Sequence, residues 1–447
     1  MDVTRRLAGY VVTSRFADIP QAARQEALRS FLNWLGCTVG GCRHETVDRV
    51  LAALAEFSGP AQASVIGRSE RLDILHAALI NGISSHVFDF DDTHLKTIIH
   101  PSGPVASAIL ALSERRPVDG KEFLHAFILG VEVECRIGNA VYPAHYDIGW
   151  HITGTAGVFG AAAAAGKLLG LNEQQMTWAL GIAATQAAGL REMFGTMCKP
   201  FHPGRAAQNG LTAALLAAKN FTSSERALEA PRGFAHVLST ARNFAEITER
   251  LGETFEIAFN TYKPFACGIV IHPVIDGCIQ LRNEYNLKPE QIDQVSVKVH
   301  PLVLELTGKK TPQAGLEGKF SVYHSAAVAI MHGAAGEQQY SDACVRDPAV
   351  IALRDKVMAT ADNKVHEDEA HITIRLNRGG DLTKHVEHAI GSVQRPMTDA
   401  ALEAKFRHLA DGILPAPQID KLIGMCWSLT DLADAGAVAR AAVKGAK

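Results

Sequence analysis

The chain lacks a long apolar run, a paired-cysteine spacing, an excess of either charge and a rich aromatic content, and each lack removes a class of function. The longest weakly polar run, Ile152 to Gly166, is mostly Ala, Gly and Thr and stops at Lys167, short of the ~20 apolar residues of a spanning helix. It reads as a tightly packed core helix, and no membrane association is expected. The N-terminal MDVTRRLAGYVVTSRFADIP sets its apolar residues at helical spacing among charges and holds no secretory apolar region. The eight Cys are scattered, with no C-x-x-C pair, which argues against zinc or a disulfide framework and for a reduced, cytoplasmic protein. Forty-four basic residues stand against 47 acidic ones, a formal charge of −3. Without a basic stripe, nucleic acid is not an expected partner. There is no glycine-rich nucleotide loop, internal repeat or low-complexity linker. Aromatic residues make up 6%, so close helix contacts through Ala and Gly, within a subunit or across a dimer, are the expected packing mode.

What is present is enough apolar surface, 47% of 447 residues, for two cores. Up to about residue 260 apolar residues recur three and four apart, predicting helices over Gln21–Leu35, Asp73–His86, Lys121–Ile137, Gly154–Leu169, Glu173–Leu190 and Gly204–Lys219. Asn172 reads as a helix cap. Beyond Ile292 the period changes to two: Val295, Val297 and Val299 form one strand, and Ile372, Ile374 and Leu376 form a hairpin with Thr383–His388. Ser321–His332 and Asp347–Ala359 read as helices, and helical spacing returns after Thr398. The expected fold is mostly α: an all-helical domain of residues 1–264 and 397–447, discontinuous in sequence, and a smaller α+β domain of residues 265–396.

Five segments concentrate ionisable groups among Gly and Pro. DFDDTHLKTIIH, from Asp89 to His100, holds three carboxylates, Thr93, two His and Lys96, an inventory for acid/base chemistry. Its D-x-D-x-T pattern (Asp89, Asp91, Thr93) also fits a Mg²⁺-dependent phosphatase, but that reading needs a preceding strand, and Leu72 to His86 carry helical spacing. His151 precedes a helix, whose positive end favours a neutral imidazole; the structural alternative is a buried ring bonded to a carbonyl. Lys199, His202 and Arg205 fall within seven residues and form a clamp for carboxylates, or else a solvated face. Lys263 and His272 lie at the expected domain junction. Tyr323 and His324 open a helix of the second domain. No metal-ligand spacing appears.

With these residues in view, the sequence resembles the MmgE/PrpD family. DFDDTH with HPSGPV, GWHITGTAGVFGAAAAAGKLLGL, GTMCKPFHPGRAAQNGL, YKPFACGIVIHPVID and GKFSVYHSAAVAI carry the resemblance across nearly the whole chain. It implies a large helical domain with a smaller α+β lid, a homodimer, no cofactor, and a site in the cleft for a small di- or tricarboxylate. By motif it places Asp89, Thr93, His100, His151, Lys199, Lys263 and Tyr323 around the substrate. The family's animal cis-aconitate decarboxylases carry a further His where this chain has Gly268; His272 matches a His also present in the fungal ones. The expected chemistry is α-proton abstraction through an enediolate-like intermediate, stabilised by Lys199, Lys263 and Arg205. The leading expectation is an iminodisuccinate-type epimerase with His100 and His151 as the acid/base pair, Lys263 or Tyr323 as substitutes, and Asp89 orienting them. The alternative is a lyase, either a 2-methylcitrate-type dehydratase or a cis-aconitate decarboxylase.

Overall fold

Helical periodicity before residue 220 becomes seven main helices: α1 (Gln21–Gly41), α2 (Ile74–His86), α3 (Ser102–Arg115), α4 (Gly120–Val141), α5 (Ile152–Leu169), α6 (Glu173–Ala184) and α7 (Cys198–Ala217). The structure is a computed structural model and describes residues 2–445. Local chemistry sets several of the ends. Asp73 and Asp119 accept the free N–H groups opening α2 and α4, and Asn172 forms a capping box with Gln175 at α6. By length and composition α5 could cross a membrane, yet 89% of that stretch is buried inside the fold, among α3, α4, α6 and α7.

Small residues let α7 sink between α2 and α5. A Cβ on Gly82 would lie 2.5 Å from the Gly204 Cα, and one on Gly210 would lie 2.5 Å from the Ala161 Cβ. That approach fixes the first turns of α7, which carry Lys199 and His202, against the end of α2 and the start of α5.

A four-stranded sheet lies in the second half, in spatial order β4 (Val357–Ala361), β3 (Ile292–Val299), β5 (Ala370–Leu376), β6 (Asp381–Val386). β3 pairs parallel with β4 and antiparallel with β5, and β5–β6 is the expected hairpin. Its turn passes through Gly379 and Gly380 at φ of +82° and +98°, which suit glycine. Helices α8 (His272–Glu284) and α9 (Val322–His332) contact the sheet. Apolar side chains from residues 265–386 form most of one core, while Met397 to Ala442 join α1, α3 and α4 in another. There, α10 (Asp399–Ala410) packs on α1, with Phe406 and Leu409 filling the space over Gly36 and Gly40.

Two element predictions need correction. The helix expected over Asp347–Ala359 ends at Arg354, and Val357–Ala361 becomes an edge strand. The open edge of β3 supplies backbone partners that a short window of sequence does not reveal. The helix from Glu173 stops at Ala184 rather than Leu190; there the chain turns so that the Gly189 carbonyl accepts the His151 N–H at 3.0 Å.

Candidate active site

A short antiparallel pair brings the polar segments together. β1 (Asp92–His94) pairs with β2 (Asn260–Tyr262), Asp92 opposite Tyr262, so Lys263 emerges beside the turn that follows α2. In that turn Asp89 has a φ of +51°, a left-handed conformation that Asp tolerates better than most residues. Its Oδ1 accepts from both Lys199 Nζ and Lys263 Nζ at 2.8 Å. Burial alone would raise the Asp89 pKa; Lys199 and then Lys263 outweigh it and hold the carboxyl well below its usual range. Lys199 also donates to His86 Nε2 at 2.9 Å, and His86 Nδ1 donates to Asp91 at 2.8 Å. Asp91, His86, Lys199, Asp89 and Lys263 thus form one continuous buried network.

Two further buried ammonium groups stand behind it. Lys319 donates to the carbonyls of Phe88 and Ala266, and Lys405 donates to Asn33 Oδ1 and the carbonyls of Phe90 and Lys263. Neither has a carboxylate as hydrogen-bond partner, so this region favours an incoming anion.

His100 Nδ1 lies 2.8 Å from the Asp92 carbonyl and 3.2 Å from Thr93 Oγ1. A carbonyl only accepts, so Nδ1 carries the proton and Nε2 keeps its lone pair, 3.9 Å from Asp89 Oδ1. Burial, then Lys263, hold the ring's pKa well below the usual value, although Asp91 opposes them. It is a neutral base aimed at the cavity. His151 caps the start of α5, and its Nδ1 meets His202 Nδ1 at 2.8 Å. One ring must donate and the other accept. When His202 donates, the neutral His151 keeps its proton on Nε2. Burial, then Lys199 and His202, push His151 well below its ordinary pKa, and His202 is pushed down to about 4, mainly by burial.

Asp89, His100, His151, Lys199 and Lys263 share a cavity with Ile98, Tyr146, Phe194, Gly268, Ile269, Val270, Leu306, Thr307 and Phe320. The Phe194 and Phe320 rings stack at 5.6 Å, with Lys199 Nζ 5.2 and 5.5 Å from their centroids, which adds cation–π attraction and excludes water. The cavity volume is about 30 Å³, space for one or two waters.

His86, Asp89, Asp91 and His100 are close enough to hold a metal, but Asp89 and His86 already bind ammonium groups at hydrogen-bond distance. Two cations at the donor set oppose a dication. The D-x-D-x-T segment follows helix α2, not a strand. On the distant hairpin Glu369, His371 and His385 also cluster, yet the two rings are parallel within 5°. In-plane lone pairs of parallel rings do not converge on one ion.

Residues 5–247 match the MmgE/PrpD N-terminal domain and residues 265–429 match the MmgE/PrpD C-terminal domain. The chain belongs to the MmgE/PrpD family. The second match runs on through α10, which packs against the helical half. The chain is similar to cis-aconitate decarboxylase of Aspergillus terreus, at 27% identity over 97% of this chain and 94% of that protein. It is 28% identical to cis-aconitate decarboxylase of Mus musculus, over 98% and 93%. It is 24% identical to the mitochondrial 2-methylcitrate dehydratase of Yarrowia lipolytica, over 90% and 82%. Both activities are lyase activities.

Of the residues singled out in the sequence, Asp89, His100, His151, Lys199 and Lys263 converge on the cavity. Thr93 and His202 stand behind His100 and His151. Arg205 is exposed on α7 and bonds Gln208, one turn away from the buried face. Lys96 pairs with Glu246 at the surface at 2.9 Å. His272 lines a neighbouring cavity, and Tyr323, beneath Lys310 at 5.7 Å, is not among the lining residues; Phe320 of the same motif is. His86 went unnoticed in the sequence, because periodicity assigns it to the apolar helix α2. Its spacing of five from Asp91 was the available signal.

Proposed function

We propose that the chain is an acid/base lyase of small polycarboxylates. The observation that carries this reading is the pair of neutral imidazoles, His100 with a free Nε2 and His151 coupled to His202, facing one cavity beside the Asp89–Lys199–Lys263 network. The lyase names of the full-length relatives favour bond cleavage over the epimerisation expected from the sequence.

In the reading we favour, His100 Nε2 removes the proton from the carbon next to a carboxylate, and that carboxylate takes on enediolate character. Lys199 and Lys263 sit where they stabilise its oxygens. Collapse expels hydroxide from the neighbouring carbon. His151 Nε2–H protonates it to water, which requires the His202 Nδ1–H to hydrogen-bond to His151 Nδ1, and the proton taken by His100 is returned to the His151–His202 pair after water leaves, so that both sides end neutral. The C–H and C–O bonds break, a C=C bond forms, and water leaves. Gly268 leaves the second-domain wall without a further acid or base, so this two-histidine elimination uses every imidazole on the cavity. Decarboxylation is the second reading, supported by the identity to decarboxylases over nearly the whole chain.

Proton NMR of the protein with 2-methylcitrate, citrate and cis-aconitate, in parallel with a CO₂ assay, tests this. Elimination gives new alkene signals without CO₂; decarboxylation gives CO₂. Deuterium uptake from D₂O by single-enantiomer iminodisuccinate, with neither alkene nor CO₂ from any substrate, would overturn the lyase reading in favour of an epimerase.

A further inference from the structure

Two short chain segments carry Asp89 and Lys263: residues 88–90 after α2 and residues 263–266 after β2. In the first, successive carbonyls accept from three different ammonium groups. The Phe88 carbonyl takes Lys319 Nζ at 2.7 Å, that of Asp89 takes Lys263 Nζ at 3.0 Å, and that of Phe90 takes Lys405 Nζ at 2.6 Å. Lys319 and Lys405 also reach the second segment, through the carbonyls of Ala266 at 2.7 Å and Lys263 at 2.9 Å. The two segments are thus tied together twice, once just before Asp89 and once just after it.

The two ties come from separate parts of the fold. Lys319 stands shortly before α9, in the second domain. Lys405 lies on α10, which packs on α1, and it also donates to Asn33 Oδ1 of α1 at 2.8 Å. Both lysines are buried, 4% and 8% exposed. A neutral amide or a water satisfies a carbonyl without taking a charge out of solvent, whereas an ammonium buried without a carboxylate partner is expensive to desolvate. Charge-assisted bonds are also the stronger ones. What they hold is Asp89 at a φ of +51°, a conformation that a residue with a Cβ keeps only where the surroundings impose it.

We infer that Lys405, with Lys319 as its counterpart, is a positioning residue that fixes the backbone at Asp89 so that its Oδ1 stays between Lys199 Nζ and Lys263 Nζ. Oδ1 is 2.8 Å from each, and a shift of about 1 Å takes it out of hydrogen-bond range of one of them. Misplacement on that scale costs about 10²-fold in rate. The kinetic consequence rests on the lyase reading above; the consequence for the Asp89 geometry does not.

Lys405 lines a cavity of about 480 Å³ that shares no wall residue with the inner one, so a small cation can take the place of its side chain without meeting the substrate. Crystal structures and turnover of the full chain carrying Lys405→Ala, with and without propylammonium, which matches the atoms removed, test the inference. Without the amine, Asp89 Oδ1 is expected to leave hydrogen-bond range of Lys199 or Lys263, and kcat to fall about 10²-fold with KM changed by less than about threefold. Propylammonium is expected to restore the Asp89 geometry and about tenfold in kcat. Tetramethylammonium, a cation without an N–H, is expected to restore neither. An unmoved Asp89 carboxylate, or a kcat within about threefold of the parent, overturns the inference, as does a result in which the two cations act alike. If Lys405→Ala does not fold, Lys405→Gln, with two N–H donors on a shorter side chain, is held to the same criteria of Asp89 displacement and kcat loss. Turnover of no polycarboxylate by the parent chain overturns the lyase reading instead, and the Asp89 geometry with and without propylammonium still decides the positioning.

Discussion

The two walls of the inner cavity differ in kind. The wall built by the segment between α2 and α3 and the starts of α5 and α7 carries the ionisable groups Asp89, His100, His151 and Lys199. The opposite wall from the second domain carries Gly268, Ile269, Val270, Leu306, Thr307 and Phe320. Lys263 stands at the seam. One wall supplies acid, base and charge, and the other supplies shape and dryness, which strengthens the electrostatics of the first.

The comparison is broken most severely at Asp89. Asp89→Asn leaves Lys199 and Lys263 buried beside each other without their carboxylate, and a loss of about 3–5 kcal/mol in unfolding free energy is expected, with activity abolished. Denaturant titration and turnover assays measure the two. His100→Gln is expected to lower kcat by about 10²–10⁴-fold with little change in unfolding midpoint. His202→Phe, which removes the hydrogen-bond partner of His151, is expected to lower kcat more than KM, and His202→Gln to restore part of it. On the opposite wall, Val270→Ala or Thr307→Ala is expected to change KM and leave kcat within about tenfold, because no proton passes through either side chain. An equal kcat loss from both walls would erase the distinction.

The pH response probes the same asymmetry. Burial is the largest cause lowering the pKa of nine imidazoles, His44, His86, His100, His125, His145, His151, His202, His272 and His324. In the unfolded chain they take protons near pH 6.5, while in the fold they stay neutral. Their stabilisation is present above about pH 6.5 and lost as pH falls. Buried Asp92 and Glu132, both raised to about 7, and Glu134 act oppositely, favouring the fold as pH falls towards their unfolded values. Nine groups outweigh three, so the thermal midpoint is expected to drop between pH 7 and pH 5. The acid limb of kcat/KM is expected well below 6.5, since His100 is still a base there. The smallest effects belong outside the cavity. Arg205→Ala is expected to change stability by no more than about 0.5 kcal/mol and kcat/KM by less than threefold.

The helical half was legible because long apolar periodicities and a cap such as Asn172 act locally. The hairpin β5–β6 was legible for the same reason. Val357–Ala361 was not, since a short edge strand is decided by the neighbour that offers its backbone. Within the site, Asp89, His100, His151, Lys199 and Lys263 stood out by polar density in Gly- and Pro-rich segments. Arg205 and Tyr323 carried the same signal in the sequence, but helix rotation and the placement of the second domain direct them away. His86 carried almost none.

By itself the sequence determined the family, the two kinds of secondary structure and the supply of acids, bases and cations, because these follow from periodicity and residue identity. Only the tertiary structure decided which His holds a free lone pair, which cations are buried together, and which wall is apolar. A tautomer is set by the partner on the far side of the ring, and a cavity by segments as far apart in sequence as Asp89 and Phe320.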